Sequence, residues 1–237
     1  MYINKMKRIF TLSIIAFITL ITYNANAQDE PPVKNYFGFF GGISIPQGDF
    51  AKSTYDNNKA GFARKGLSYG LDGAVYFYKR LAIGASITYM DNNELNQANV
   101  DSLAAGYTRS FAADGATVTA NNRYQTVSIL LGPQYSFNYG KFIFDLRASA
   151  GIIKVYKTPE TNILLTGVPN QTLTFYQRSA SATVLAYSGT LAVRYKLSDN
   201  VHLVVRGNYI NSSGPTIKNE GRSTDIGRLV TKQPISI

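Results

Sequence analysis

Residues 66–90, GLSYGLDGAVYFYKRLAIGASITYM, constrain the chain most, because they alternate with a period of two around a two-residue break. Leu67, Tyr69, Leu71, Val75 and Phe77 share one face, while Gly66, Ser68, Gly70, Asp72, Ala74 and Tyr76 share the other. Past Lys79-Arg80, Leu81, Ile83, Ala85, Ile87 and Tyr89 again oppose Ala82, Gly84, Ser86 and Thr88. Successive side chains of a strand point to opposite faces, so the stretch reads as two strands joined by a tight turn. The second face is small and polar where a water-soluble core requires bulk. Large residues outward and small polar ones inward is the arrangement of a β-barrel in a lipid bilayer.

The pattern recurs along the chain. A first strand at 35–45 sets Phe37, Phe39, Ile43 and Ile45 against Gly38, Phe40, Gly42 and Ser44. Further strands are expected at 123–139, 142–156, 179–197 and 201–210, with tight turns at Gly140-Lys141 and Ser198-Asp199-Asn200. Between them lie long polar connections at 46–65, 91–122, 157–178 and 211–232, the second with a helical turn at Val100–Ala105. Short turns alternating with long loops, and aromatics such as Tyr76, Phe77, Tyr78, Tyr139 and Phe142 beside the short turns, fit a barrel with an interfacial aromatic girdle. Pro133 donates no ladder hydrogen bond, so a bulge is expected there. The strands at 123–139 and 179–197 exceed the roughly 9–11 residues that cross a bilayer and are expected to project outward as a sheet.

Lys5, Lys7 and Arg8, an apolar run at 9–21 and Ala25-Asn26-Ala27 compose a secretory leader, residues 1–27, ahead of one barrel domain at 28–237. Cysteine is absent, which removes disulfides, thiolate metal sites and a lipidated cysteine from consideration. No later segment approaches 18 consecutive apolar residues, so no spanning helix is expected. An exported, strand-rich chain of this kind is a barrel in an outer membrane or a soluble barrel beyond the inner one, and the loop asymmetry favours the first. Seven strands are counted. Ile235–Ile237 reads as the start of an eighth that the 237 residues do not complete.

Three stretches, FGFFGGISIPQGDF, GLDGAVYFYKRLAIGASITY and GPQYSFNYGKFIFDLRASAG, make the chain resemble the small outer-membrane β-barrel domain family, similar in plan to OmpA-, OmpX- and OmpW-type proteins. The likeness implies an all-β, eight-stranded antiparallel transmembrane barrel, inserted by the barrel-assembly machinery in an outer membrane. Family members close on a last strand ending in an aromatic, which this sequence lacks. The OmpW-like side of the likeness also allows transport of small, hydrophobic solutes.

The inward polar set supplies the candidate site. Lys196 and His202 fall near the short-turn end, Asp145 and Arg194 next, and Asp72, Arg147 and Arg206 near mid-depth. Opposite charges in a narrow eight-stranded interior are expected to pair as a structural plug, with a gated pore or ligand pocket as the sharper alternative. Arg123 and Lys154 face outward just above the apolar bands, where they would contact lipopolysaccharide phosphates. His202 is the lone histidine. It has no partner set for a triad or a zinc site, and no phosphate loop is present, so neither catalysis nor a cofactor is expected. The net charge of +10 falls to +7 without the leader's basic residues and forms no stripe, which argues against nucleic acid. The functional expectation is therefore a non-enzymatic surface barrel whose loops contact extracellular or envelope partners. A small-solute channel and an accessory barrel of a secretion or motility apparatus are the alternatives.

Overall fold

The computed structural model describes residues 33–57, 59–168, 171–214, 216–223 and 227–234. The expected leader and Ile235–Ile237 lie outside the described residues. Seven strands pair antiparallel in one sheet: β1 (Tyr36–Ser44), β2 (Gly66–Tyr78), β3 (Leu81–Asp91), β5 (Gln125–Tyr139), β6 (Phe142–Lys157), β9 (Ala182–Lys196) and β10 (His202–Ser212), in that order across the sheet. The remaining strands, β4 (Gly115–Asn121), β7 (Glu160–Val168), β8 (Gln171–Gln177), β11 (Thr216–Ser223) and β12 (Gly227–Pro234), arise within the long connections. No described helix is long and apolar enough to cross a membrane.

The sheet curls into a half-barrel, and its two faces have the polarity the alternation predicts. Thr126, Ser128 and Ser136 are fully buried on the concave side, while Phe39, Leu185 and Val205 on the convex side are 83%, 77% and 73% exposed. Curling brings the two edges toward each other: Arg206 of β10 reaches Asp72 of β2 and lies 4.8 Å over the Phe40 ring of β1. The expected closed eight-stranded barrel is not what the described residues form. Strands β1 and β10 are not hydrogen-bonded to each other, and a cavity of about 1030 Å³ lies between them. The reason is directional. An odd number of antiparallel strands leaves both edges running the same way, so they cannot pair antiparallel.

Pro133 produces no bulge. The β5–β6 ladder omits Gly132 and Pro133 but keeps one register on either side, from Leu131↔Ala150 to Gln134↔Arg147. On the other side Pro133 remains opposite Ile83 of β3. The missing N–H costs pairing on one side of the strand, not an extra residue.

The long connections also differ from the expectation of irregular loops. After β1 a single turn, α1 (Gly48–Ala51), precedes a loop held by backbone bonds from Gly61 to Asp49 and from Ala63 to Phe50. After β3 comes a full helix, α2 (Gln97–Phe111), much longer than the expected turn at Val100–Ala105. It starts at Asn96, whose side chain accepts from the Asn99 N–H at 2.9 Å and caps the first turn. Strand β4 then pairs with the β7–β8 hairpin to make a three-stranded sheet. Strands β5 and β9 are each 15 residues long, as their expected length implies, and the three-stranded sheet is an addition to them. Its core is apolar in the ordinary sense: Val118, Ile163, Leu165, Leu173 and Phe175 are buried against Val100, Leu103, Tyr107 and Phe111 of α2. We call this unit the cap.

Candidate functional site

The concave face carries one connected polar network. Arg147 binds Asp72 through Nη1 to Oδ2 (2.6 Å) and Nη2 to Oδ1 (3.1 Å), a two-pronged guanidinium–carboxylate pair. Arg194 binds Asp145 the same way, through Nε (2.7 Å) and Nη2 (2.9 Å). Gln134 joins the two pairs. Its Oε1 accepts from Arg147 Nε at 2.8 Å, and its Nε2 donates to Tyr76 OH and Ser136 Oγ, which contact Arg194 and Asp145 in turn. Tyr36 OH donates to Asp72 Oδ1 at 2.9 Å, and Arg194 lies 4.1 Å over the Tyr36 ring.

Local sequence makes this packing possible. At Gly84 a Cβ would sit 2.3 Å from Arg147 Nε, so only glycine leaves room for that guanidinium against β3. Arg147, Arg194, Asp72 and Asp145 have almost no exposure, so removing one partner strands a buried charge. Arg206 adds a third cation through Asp72 Oδ2 at 2.5 Å, giving three guanidinium groups against two carboxylates. Beyond the network, toward the long-connection end, Leu130, Ile153 and Ala186, packed by Val184 and Ile210, form an apolar cluster beside buried Thr88, Thr126 and Ser128.

Of the residues singled out from sequence, Asp72, Asp145, Arg147, Arg194 and Arg206 come together. Lys196 and His202 face each other as a cross-strand pair on β9 and β10 and make no side-chain bond to the network. Arg123 and Lys154 are exposed but separate: Arg123 is drawn to Asp91 (3.2 Å), and Lys154 lies 4.6 Å over the Tyr156 ring. Sequence reasoning left out Tyr36, Tyr76, Gln134 and Ser136 as network members. Parity was the available signal, since all four fall on the small, polar face.

The cap holds a second polar space, a cavity of about 390 Å³ among Tyr55, Asp56, Phe62, Leu103, Tyr107, Tyr124, Thr161 and Gln177. Burial pushes the Tyr107 phenol up to about 12 and raises that of Tyr124 further. The loop beneath is fixed by Asp49, whose carboxyl is held below its usual range by hydrogen bonds from Lys52 and then Asn57. Among the described residues no cluster of His, Cys, Asp or Glu is placed to hold a metal. Comparison with protein-family models, with curated proteins and with solved structures finds no match to this chain.

Proposed function

We propose that the curled sheet is the wall of an eight-stranded outer-membrane barrel, that the protein is not an enzyme, and that the cap makes its contacts outside the membrane. The inverted burial carries this reading. About thirty large apolar and aromatic side chains are exposed among the described residues, most on the convex face of the sheet. Covering one such side chain is worth roughly 1.5–3 kcal/mol. Left in water, that face would forgo tens of kcal/mol, more than the ~5–15 kcal/mol by which domains are stable. A bilayer covers it at no further cost.

In this reading the eighth strand fills the space between β1 and β10 and runs antiparallel to both. Insertion would then depend on barrel-assembly machinery, and Arg123 and Lys154 would meet lipopolysaccharide phosphates, Lys154 more freely because Asp91 already engages Arg123.

The test is gel mobility before and after heating, for protein refolded in detergent both as the 237-residue chain and with an added eighth strand. A heat-dependent shift in the extended form supports the barrel. A monodisperse, soluble monomer in detergent-free buffer overturns it. A small-solute channel draws support from the cavity beside Asp145, Arg194 and Arg206. Leu130 and Ile153 make part of the wall apolar at a depth they share with Ser86, Thr88 and Ser128. Conductance steps in planar bilayers would favour the channel.

A further inference from the structure

Several polar side chains that the fold does not use as hydrogen-bond partners line the cap cavity. The hydroxyls of Tyr55, Tyr107 and Tyr124, the Thr161 hydroxyl and the Gln177 amide all line it, and none bonds another described residue. Unpartnered hydroxyls also occur inside the sheet, at Thr88, Thr126 and Ser128, where they are buried. Those of the cap are not sealed, although Tyr124 is only 5% exposed. The five groups at this cavity keep access to solvent and spend no hydrogen bond on the fold, so they remain available to a ligand.

The cavity is also preformed. Phe62, on its wall, holds φ at 55°, a left-handed backbone that a bulky residue seldom adopts without support. Support comes from Asn99 Nδ2 donating to the Phe62 carbonyl and from the Phe62 N–H donating to the Lys52 carbonyl. The Tyr55 ring lies flush on α2 at Gly106, where a Cβ would meet Tyr55 Cγ at 2.1 Å. Tyr55 and Tyr107 then pack edge to face at 5.1 Å.

The lining chooses the ligand's chemistry. Its one carboxylate, Asp56, is neutralised at the rim by both oxygens accepting from Arg109 Nη2, at 2.8 and 3.0 Å. What remains is uncharged: phenols, a hydroxyl and the amides of Asn57 and Gln177, interleaved with aromatic rings, Leu95 and Leu103. Neutral donors and acceptors beside ring faces and an aliphatic wall suit a molecule that is itself hydroxylated on its edge and apolar on its face. The volume sits at the small end of the roughly 300–1,000 Å³ typical of small-molecule sites. We infer that the cap binds one neutral sugar residue, as a free monosaccharide or the tip of a surface glycan. The inference rests on the reading of the cap as the contact-making part, but not on the bilayer.

The experiment uses the full chain refolded in a detergent without a sugar headgroup. Saturation-transfer NMR is recorded with glucose, galactose, mannose and N-acetylglucosamine, and with glucuronic acid as the charged control. Because their hydroxyls bond nothing in the protein, Tyr107→Phe/Tyr124→Phe should leave the cap's near-ultraviolet spectrum intact and weaken the bound neutral sugar at least 10-fold. Gln177→Met should weaken it as well, and Thr117→Ala, on the exposed side of β4, should not. Transfer to none of the neutral sugars, to glucuronic acid alone, or equally to the double variant overturns the site. Should the double variant unfold the cap, Gln177→Met decides alone. Heat-shift gels on the same samples report the barrel independently, so the failure of one reading is separable from the failure of the other.

Discussion

In the seven-stranded sheet Thr126, Ser128 and Arg194 are buried while Phe39, Leu185 and Val205 stand exposed; in the cap Ile163, Leu165 and Leu173 are buried while Thr117, Thr119 and Asn162 face out. Both regions are antiparallel sheets with a period of two, and both come from one chain. The cap behaves as a protein in water, hiding apolar side chains against α2. The sheet hides polar ones, and a narrow concave space brings three guanidinium groups against two carboxylates. Strand alternation alone therefore does not say which face is inside. That depends on which face finds partners, and the cost of mistakes differs accordingly between the two regions.

The largest effect is expected where a strong charge is sealed. Arg194→Met leaves Asp145 buried with only Ser136 for a partner and should cost about 3–5 kcal/mol. Adding Asp145→Leu should recover most of the loss, because no uncompensated charge is left. Urea titration of the heat-modifiable form measures both. No recovery in the double variant would mean that the pair matters for specific hydrogen bonds and not for charge balance.

Leu165→Ala in the cap deletes a fully buried side chain and should cost about 2–5 kcal/mol, but locally. Amide exchange should rise across α2, β4, β7 and β8 while the sheet's heat shift persists. On the sheet, Leu191 is 65% exposed. Leu191→Arg should therefore be nearly silent if that face meets water, within about 0.5 kcal/mol. Against a bilayer it should cost about 2–4 kcal/mol. The same substitution thus separates the two environments with one denaturation curve.

Alkaline pH distinguishes the cap in another way. Tyr107 titrates at about 12 in the folded cap, above the ~10 of an unfolded tyrosine. Its neutral form is the one the fold favours, so its contribution is complete below pH 10 and fades as pH rises toward 12. Amide exchange in the cap should accelerate over that window, and Tyr107→Phe should blunt the acceleration.

The sequence made the sheet legible because its signal is local: parity alone put Asp72, Arg147, Arg194 and Phe39 on the correct faces. Parity did not say which arginine meets which aspartate, since Arg147 and Asp72 are 75 residues apart and only the curl unites them. The cap was harder to see for the opposite reason. Helix α2, QANVDSLAAGYTRSF, has a weak apolar stripe interrupted by Gly106, and β4, β7 and β8 are short and rich in Thr and Asn. Each is apolar on one side only when the others are present. Ladder pairing at Pro133 depends likewise on what its neighbours tolerate. A cavity whose walls come from five separate segments has no sequence signature at all.

The smallest effect makes the sharpest contrast between the regions. Arg109 and Asp56 join a guanidinium to both oxygens of a carboxylate, as Arg194 and Asp145 do, at nearly the same distances of 2.8 and 3.0 Å. Their side chains, however, are 65% and 78% exposed. Water screens the attraction, and ordering two long side chains opposes it, so such a pair is worth about 0.2–1 kcal/mol. Arg109→Ala should lower cap stability by no more than that, and 1 M salt should erase the difference, since charges then screen over about 3 Å. Arg194→Met should stay as damaging in high salt as in low. If the Arg109 variant instead loses several kcal/mol, the rim of the cavity is less solvated than its exposure indicates, and the neutral character assigned to its lining would need revision.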